Sequence, residues 1–270
     1  MPLAIPAPSA RTCHSGGMDV GLTDRVFLVT GGSRGLGRAA AAALVSEGAR
    51  VVVSARDADR LAGEVAALGA DHALGVPADL TDPTAAERLV AAAIGRYGRI
   101  DGALISCGGP PPGGPLALTD DEWRAGFESV FLGPIRVARA VAAAIGDEGG
   151  ALAFVLSSSV REPIAGLAAS NGMRPGLAAV AKELSDELAP RGIRVNGLLP
   201  GRIDTDRTRL LDARSGRAET VRRRAETSIP LGRYGDPVEF GIVAAFLLSP
   251  AASYLTGVML PVDGGARRSF

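Results

Sequence analysis

Two kinds of hydrophobic pattern alternate along this chain from Arg25 onward. Short runs rich in β-branched residues recur at 25–30 (RVFLVT), 50–55 (RVVVSA), 72–78 (HALGVPA), 100–106 (IDGALIS), 151–157 (ALAFVLS), 193–199 (IRVNGLL) and 257–262 (GVMLPV). Alanine- and leucine-rich stretches separate them, and Leu61, Val65 and Leu68 repeat at helical spacing. This alternation predicts a parallel sheet flanked by helices. Asp82 followed by Pro83 predicts a helix N-cap and first helical position, and "TDDE" at 119–122 predicts a capping box that opens another helix. The charge-free run 241–262 has the length of a membrane span, but Pro250, Gly257 and its serines predict a core helix, a turn and a strand instead.

Composition narrows the partners. A chain of 270 residues with 47% hydrophobic content can bury one large core, so a single domain is expected. Residues 1–20, with several prolines and glycines and no apolar run of the kind a secretory signal needs, read as a disordered extension. The domain then occupies 21–265, and 266–270 form a tail. Basic and acidic side chains balance at 29 each, so no overall field would hold the chain on nucleic acid or an anionic membrane. Cys13 and Cys107 suggest reduced thiols in a cytoplasmic setting, and His14 and His72 stand apart from any matching metal-ligand cluster. Small-molecule ligands are the expected partners, with no metal.

The first motif with chemical content is "TGGSRGLG", Thr30, Gly31, Gly32, Ser33, Arg34, Gly35, Leu36 and Gly37, between a strand and a helix. Gly31 and Gly35 permit a tight turn and Gly37 permits close approach, so a pyrophosphate can rest on the free amides of the helix N-terminus. The end of the second strand selects the cofactor. A carboxylate there would bond an adenosine ribose 2'-hydroxyl, but this chain has Ala55 and Arg56. Arg56 together with Arg34 would clamp a 2'-phosphate, which favours NADP(H).

With these residues the chain resembles the short-chain dehydrogenase/reductase family over about residues 22–265, and within it the 3-oxoacyl-carrier-protein reductase-like members. The resemblance rests on the glycine loop, "ADL" at 78–80, "LLPGRIDT" at 198–205, "IPLGRYGDPVEF" at 229–240 and "YLTGVMLPVDGG" at 254–265. It implies an α/β fold, a single-domain doubly wound Rossmann-type parallel sheet of about seven strands with helices on both faces. It also implies that Asp79 and Leu80 face the adenine, that Ser106 and Gly108 line the cofactor at the end of the fourth strand, and that Pro200, Gly201, Ile203 and Thr205 hold the nicotinamide end. Thr205 matches the position that bonds the carboxamide. A homodimer or homotetramer is implied as well, through the apolar C-terminal strand and the long helix after Ser170.

The departures from the family pattern fall at the reacting end. The family's "NNAG" reads "SCGG" at 106–109, and Val130 stands where an active-site asparagine is usual. The family's catalytic tyrosine and lysine positions hold Ser170 and Arg174. Tyr97, Tyr234 and Tyr254 are the only tyrosines and Lys182 the only lysine, so no YxxxK exists, and the residue seven before Lys182 is Pro175, which excludes the enoyl-reductase spacing. Pro175 is also expected to bend the helix or begin it. Ser158, between Ser157 and Ser159, keeps its family role in this register. The catalytic candidates are therefore Ser158, Ser170 and Arg174. A serine is a far poorer acid than an activated tyrosine and arginine keeps its proton, but both can stabilise an oxyanion. Three readings follow: an NADP(H)-dependent oxidoreductase that relies on Ser158, Arg174 and solvent for proton supply; a non-redox enzyme performing cyclisation, dehydration or isomerisation in secondary metabolism; and a catalytically silent nucleotide-binding subunit. A lid at 207–228 is expected over the pocket, and its arginines suit an anionic or acyl-carrier-bound substrate or a solvated helix face.

Overall fold

The strands of this protein are apolar on both sides, and that determines its layers. Along β1 (Val26–Thr30), Val26 and Leu28 enter one core while Phe27 and Val29 enter another. The same alternation divides Val52 from Val51 and Val53 in β2 (Arg50–Ala55). The remaining strands are β3 (Ala73–Pro77), β4 (Gly102–Ile105), β5 (Gly150–Val155), β6 (Ile193–Pro200) and β7 (Met259–Val262). A sheet with two dry faces needs helices on both. The computed structural model describes residues 19–213 and 216–268. Most of the extension expected at 1–20, Cys13 and His14 within it, and the end of the expected tail lie outside the described residues.

All seven strands pair in parallel, in the order β3-β2-β1-β4-β5-β6-β7. The helices are α1 (Gly35–Ser46), α2 (Ala58–Leu68), α3 (Ala85–Tyr97), α4 (Asp120–Phe127), α5 (Gly133–Ala144), α6 (Ala168–Leu188), α7 (Asp206–Ala213), α8 (Ala218–Ser228) and α9 (Pro237–Leu248). Leu89 of α3, Val141 of α5 and Leu177 of α6 pack on one sheet face. Leu44 of α1, Leu61 of α2 and Phe240 of α9 pack on the other. Helices α1 and α9 meet backbone to backbone, since a Cβ on Gly241 would lie 2.4 Å from the Ala39 carbonyl oxygen. The run 241–262 thus forms part of a core helix, a turn and strand β7, as its punctuation predicts. Thr119 and Glu122 form the expected capping box at α4.

Two local expectations are corrected. Asp82 does not cap a helix beginning at Pro83: its Oδ1 accepts from the backbone N–H of Thr84 at 2.9 Å and from its hydroxyl at 2.8 Å, and α3 starts only at Ala85. The side chain satisfies a turn ahead of the helix, a use of Asp that competes with capping. Pro175 does not begin α6 either. The helix starts at Ala168 and runs through the proline to Leu188, and Asn171 fixes its first turns by accepting from Ile164 N at 3.0 Å and donating to Ile164 O at 2.8 Å.

The expected lid is a pair of helices, α7 and α8, on the segment after β6. It is anchored at buried Asp212, which accepts from the Arg202 guanidinium and, at 2.9 Å, from the Tyr234 hydroxyl. Arg222 of α8 lies over the Tyr234 ring at 4.5 Å. Burial, and then the bond to Asp212, push the Tyr234 phenol up to about 12. A folded-state value raised above the ordinary 10 means that this contribution is intact below pH 10 and lost as pH rises towards 12. Tyr234→Phe should lower stability by about 1.5–3 kcal/mol, the worth of a hydrogen bond to a charged group. In thermal melts the difference between the two proteins should be constant at neutral pH and shrink above pH 10; a constant difference throughout would contradict the anchor.

Candidate active site

Strand order reverses direction at β1, so the chain leaves β1 and β4 towards opposite faces of the sheet, and the crevice between two such connections is the usual ligand position in sheets of this kind. Thr30 and Ser106 frame it. The Thr30 hydroxyl donates to the Ser106 carbonyl at 2.7 Å and accepts from the Ser106 N–H at 2.9 Å, with both residues buried. The turn out of β1 depends on glycine. Gly31 has φ +61°, and a Cβ on it would lie 2.8 Å from Ser106 O. A Cβ on Gly37 would lie 2.4 Å from Gly31 O, so α1 begins directly against the turn. Arg34, the N-cap residue, offers no side-chain bond to the first amides of α1, and Ser33 and Leu36 are half-buried beside it.

At the adenine end, Arg56 is 75% exposed and sits 3.9 Å from Asp79, whose Oδ1 also accepts from the Thr81 N–H and hydroxyl at 3.0 and 2.9 Å. Leu80 is half-buried behind it. The Arg34 side chain makes no hydrogen bond or ion pair among the described residues, and its guanidinium is as free of a carboxylate partner as the expected clamp requires. At the other end, Pro200 closes β6, and Gly201 is held against Asp263, from whose Cβ its own would lie 2.6 Å. Ile203 is buried and bridges Gly235. The Thr205 hydroxyl accepts from the Thr208 N–H at 3.3 Å, capping α7, and its methyl faces Gly35, where a Cβ would lie 3.5 Å away. The lid therefore starts against the phosphate turn. Gly108 is exposed on the β4 side.

The reacting end is built from β5, α6 and α7. Ser157 caps a short 3-10 turn by accepting from the Ser159 N–H at 3.1 Å. That turn sends the next two hydroxyls in different directions. Ser158 is buried and accepts from Arg267 at 3.5 Å, while Ser159 meets Ser170 at 3.4 Å, Oγ to Oγ. The hydroxyl joined to Ser170 is thus that of Ser159, and Ser158 is tied to the C-terminal segment. Arg174, 6% exposed, lies one helical turn beyond Ser170 and donates to the Val155 carbonyl at 2.6 Å. It has no carboxylate partner among the described residues. Val130 is fully buried with Ala169 and Met173, in a π-helical turn over Glu128–Leu132. Pro134 has no N–H to give to the Val130 carbonyl, which favours the wider turn.

Arg207 was not a candidate beyond its place in the lid. The residue as a whole is exposed, yet its guanidinium is pressed onto Gly109, where a Cβ would lie 1.9 Å from Nη2, and it reaches Pro110 O at 3.5 Å. Burial of the head group, then the charges of Arg174 and Arg34, hold its pKa below the ordinary arginine value. Arg267 was missed as well. It comes from a segment that reads as tail, yet it bonds Glu162 at 2.5 Å besides Ser158. No local pattern distinguishes these two arginines from their solvated neighbours; only the glycines at 108–109 hint that a side chain crosses the loop.

Comparison with known proteins agrees with this geometry. A family model described as enoyl-(acyl carrier protein) reductase matches residues 31–267. The 3-oxoacyl-[acyl-carrier-protein] reductase of Salmonella typhimurium is 34% identical over 244 residues, 89% of this chain and 96% of that protein. The L-rhamnose 1-dehydrogenase (NAD(P)(+)) of Azotobacter vinelandii is 33% identical over 255 residues, 90% and 97% of the two chains. The crystal structure of L-sorbose reductase from Gluconobacter frateurii, complexed with NADPH and L-sorbose, superposes with a TM-score of 0.87 at 27% identity, covering 94% of this chain and all of that one. With a seven-stranded parallel sheet, a glycine turn at the β1–β4 crevice and relatives matched over nearly their full length, this chain belongs to the short-chain dehydrogenase/reductase family.

Proposed function

We propose that this protein is an NADP(H)-dependent oxidoreductase whose proton-donating residues have been replaced by a fixed-charge site, acting on a carbonyl of a small or acyl-carrier-bound substrate. The observation that carries the reading is the uncapped N-terminus of α1 under the Gly31–Gly37 turn, with Arg56 where a ribose-binding carboxylate would exclude a 2'-phosphate. This cradle fits a dinucleotide. A side chain at Gly31 or Gly37 would collide with the surrounding backbone, so glycine at both places is what lets the turn close tightly onto the start of α1, the arrangement in which a pyrophosphate meets the free amides of a helix N-terminus. Arg56 has only a long, exposed contact to Asp79 and keeps its donors available.

When bound, NADPH supplies a hydride to the carbonyl carbon. The chain's own residues must then hold the oxygen that gains charge. Arg174, buried and kept in place by Val155 O, offers fixed positive charge there, and the Ser159–Ser170 hydroxyl pair offers neutral donors beside it. Ser158, through Arg267 and Glu162, ties the serine turn to the C-terminal segment. None of these groups releases a proton readily, so the proton that completes the alcohol comes from water.

Isothermal titration should show NADPH binding at least about tenfold more tightly than NADH, and Arg56→Asp should close that gap; equal affinities would remove the argument from Arg56. With NADPH oxidation followed against a panel of oxo acids and 3-oxoacyl thioesters, Arg174→Ala should lower kcat/KM about a hundredfold, or about 3 kcal/mol, comparable to the loss of one oxyanion donor. Unchanged turnover in the folded variant would make Arg174 a structural residue. Nucleotide binding with no oxidation across the panel would assign the crevice to a non-redox reaction. Assembly belongs to the same proposal: β7 has a free edge, and Val238, Ile242 and Phe246 leave an exposed apolar stripe along α9. A second copy placed on this face by a two-fold axis would cover both. Light scattering should give a dimer or tetramer, and Ile242→Asp should reduce its order.

A further inference from the structure

Three of the lid arginines are held in surface ion pairs. Arg209 pairs with Asp204 and Asp206, Arg222 with Asp204 and Glu226, and Arg223 with Glu219. These are the solvated, mutually compensated ion pairs of an ordinary helix surface. Arg207 differs from them. It turns inward, lays its guanidinium on Gly109, and has one weak carbonyl contact and no carboxylate among the described residues. The charges it feels most are also positive, those of Arg174 and Arg34, neither of which has a carboxylate partner among the described residues. Arg174 is buried while Arg34 and Arg207 are exposed, so water screens part of their repulsion, and an anion seated beside them would relieve the rest.

Two anions are expected in this crevice if the proposed function holds, and they need separate sites. The cofactor's diphosphate has the amides of α1, and its 2'-phosphate has Arg56. Arg174 is committed through Val155 O to the serine end, where the reacting oxygen lies. Arg207 reaches from α7, which follows β6, to Gly109, which follows β4, and so crosses the end of the intervening β5 from which the serine turn leaves, with the planar donor face that suits a carboxylate. We propose that Arg207 is a specificity-determining residue that binds a carboxylate of the substrate, so that this protein selects small oxo acids over uncharged carbonyl compounds. The seat is specific to the loop beneath it. Gly109 carries no positive φ that would forbid alanine, yet any Cβ there would occupy the space of the Arg207 guanidinium. Gly109→Ala therefore moves the arginine without removing it.

The carboxylate-site assignment rests on the proposed cofactor reading only for the direction in which the substrate lies, and the test separates the two. The probes are malonate and its uncharged counterpart malonamide, titrated into the protein with and without saturating NADPH, with binding followed by calorimetry and by the thermal midpoint. Malonate should bind and raise the midpoint while malonamide does neither. Arg207→Gln and Gly109→Ala should each weaken malonate at least about tenfold, Arg207→Lys should recover part of the loss, and NADPH affinity should change by less than about threefold in all of them. Equal responses to malonate and malonamide, or malonate binding that survives in both Arg207→Gln and Gly109→Ala, would overturn the assignment. A tenfold loss of NADPH affinity with malonate unaffected would overturn it as well, giving Arg207 to the cofactor's diphosphate. A protein that binds malonate through Arg207 but never binds NADPH would leave the carboxylate site standing and remove the cofactor reading instead.

Discussion

The hydrogen bonds exchanged by Thr30 and Ser106 are the fixed point of this molecule. They join the ends of β1 and β4 where the two strands lead into loops that leave in opposite directions. On one side, the chain must turn into α1 within a few residues, which Gly31 permits by its positive φ and Gly37 by its missing side chain. On the other side, the chain enters residues 107–114, whose glycines leave room for Arg207 to cross from the lid. Among the described residues, no other side-chain bond joins the glycine turn to the loop after β4. Buried side-chain-to-backbone bonds of this kind are costly to break, since each leaves a polar group unsatisfied in the core.

The site proposed here is electrostatically unlike a tyrosine and lysine pair. Such a pair can pass protons, since the neighbouring ammonium stabilises the phenolate and lowers the phenol's pKa. Serine and arginine cannot do so, but they offer permanent hydrogen-bond donors and permanent positive charge. The exchange is accommodated by packing as much as by charge. Val130 fills its position with an apolar side chain against Ala169 and Met173, and Arg174 uses the space beside the shorter serine to reach the Val155 carbonyl. The replacements form one consistent interior, with no buried unpartnered group among them in the described residues.

The sheet was legible in the sequence because parallel strands with two buried faces must be apolar at consecutive positions, and runs such as 50–55 meet that demand directly. The glycine turn was legible because positive φ and close approach each require the residue type found there. Other features depend on geometry that no spacing encodes. Which of the adjacent hydroxyls meets Ser170 depends on a 3-10 turn, and a turn of three residues per revolution carries no hydrophobic signature. The start of α3 was misplaced because an Asp before a proline serves a local turn and a helix cap with the same carboxylate. Of the two outcomes that Pro175 allows, only the helix start is excluded: the loss of one amide donor is tolerated in a helix fixed on both sides of it, by Asn171 before and by Leu177 and Ala181 in the core after.

Arg207 shows most clearly what lies between the two levels. In the sequence it belongs to an arginine-rich segment, and its neighbours Arg209, Arg222 and Arg223 do form compensated surface pairs. Reading the whole segment as a solvated face was therefore right for most of it. What sets Arg207 apart is its place in the first turn of α7, directly after Thr205, whose hydroxyl caps that helix and whose methyl touches the phosphate turn. The cap fixes the orientation of the first turn, and the orientation sends Arg207 back over Gly109 while Asp206 stays outside to meet Arg209. One cap thus sets which arginine of the lid lies on Gly109, and the carboxylate selection proposed for Arg207 depends on that local backbone choice.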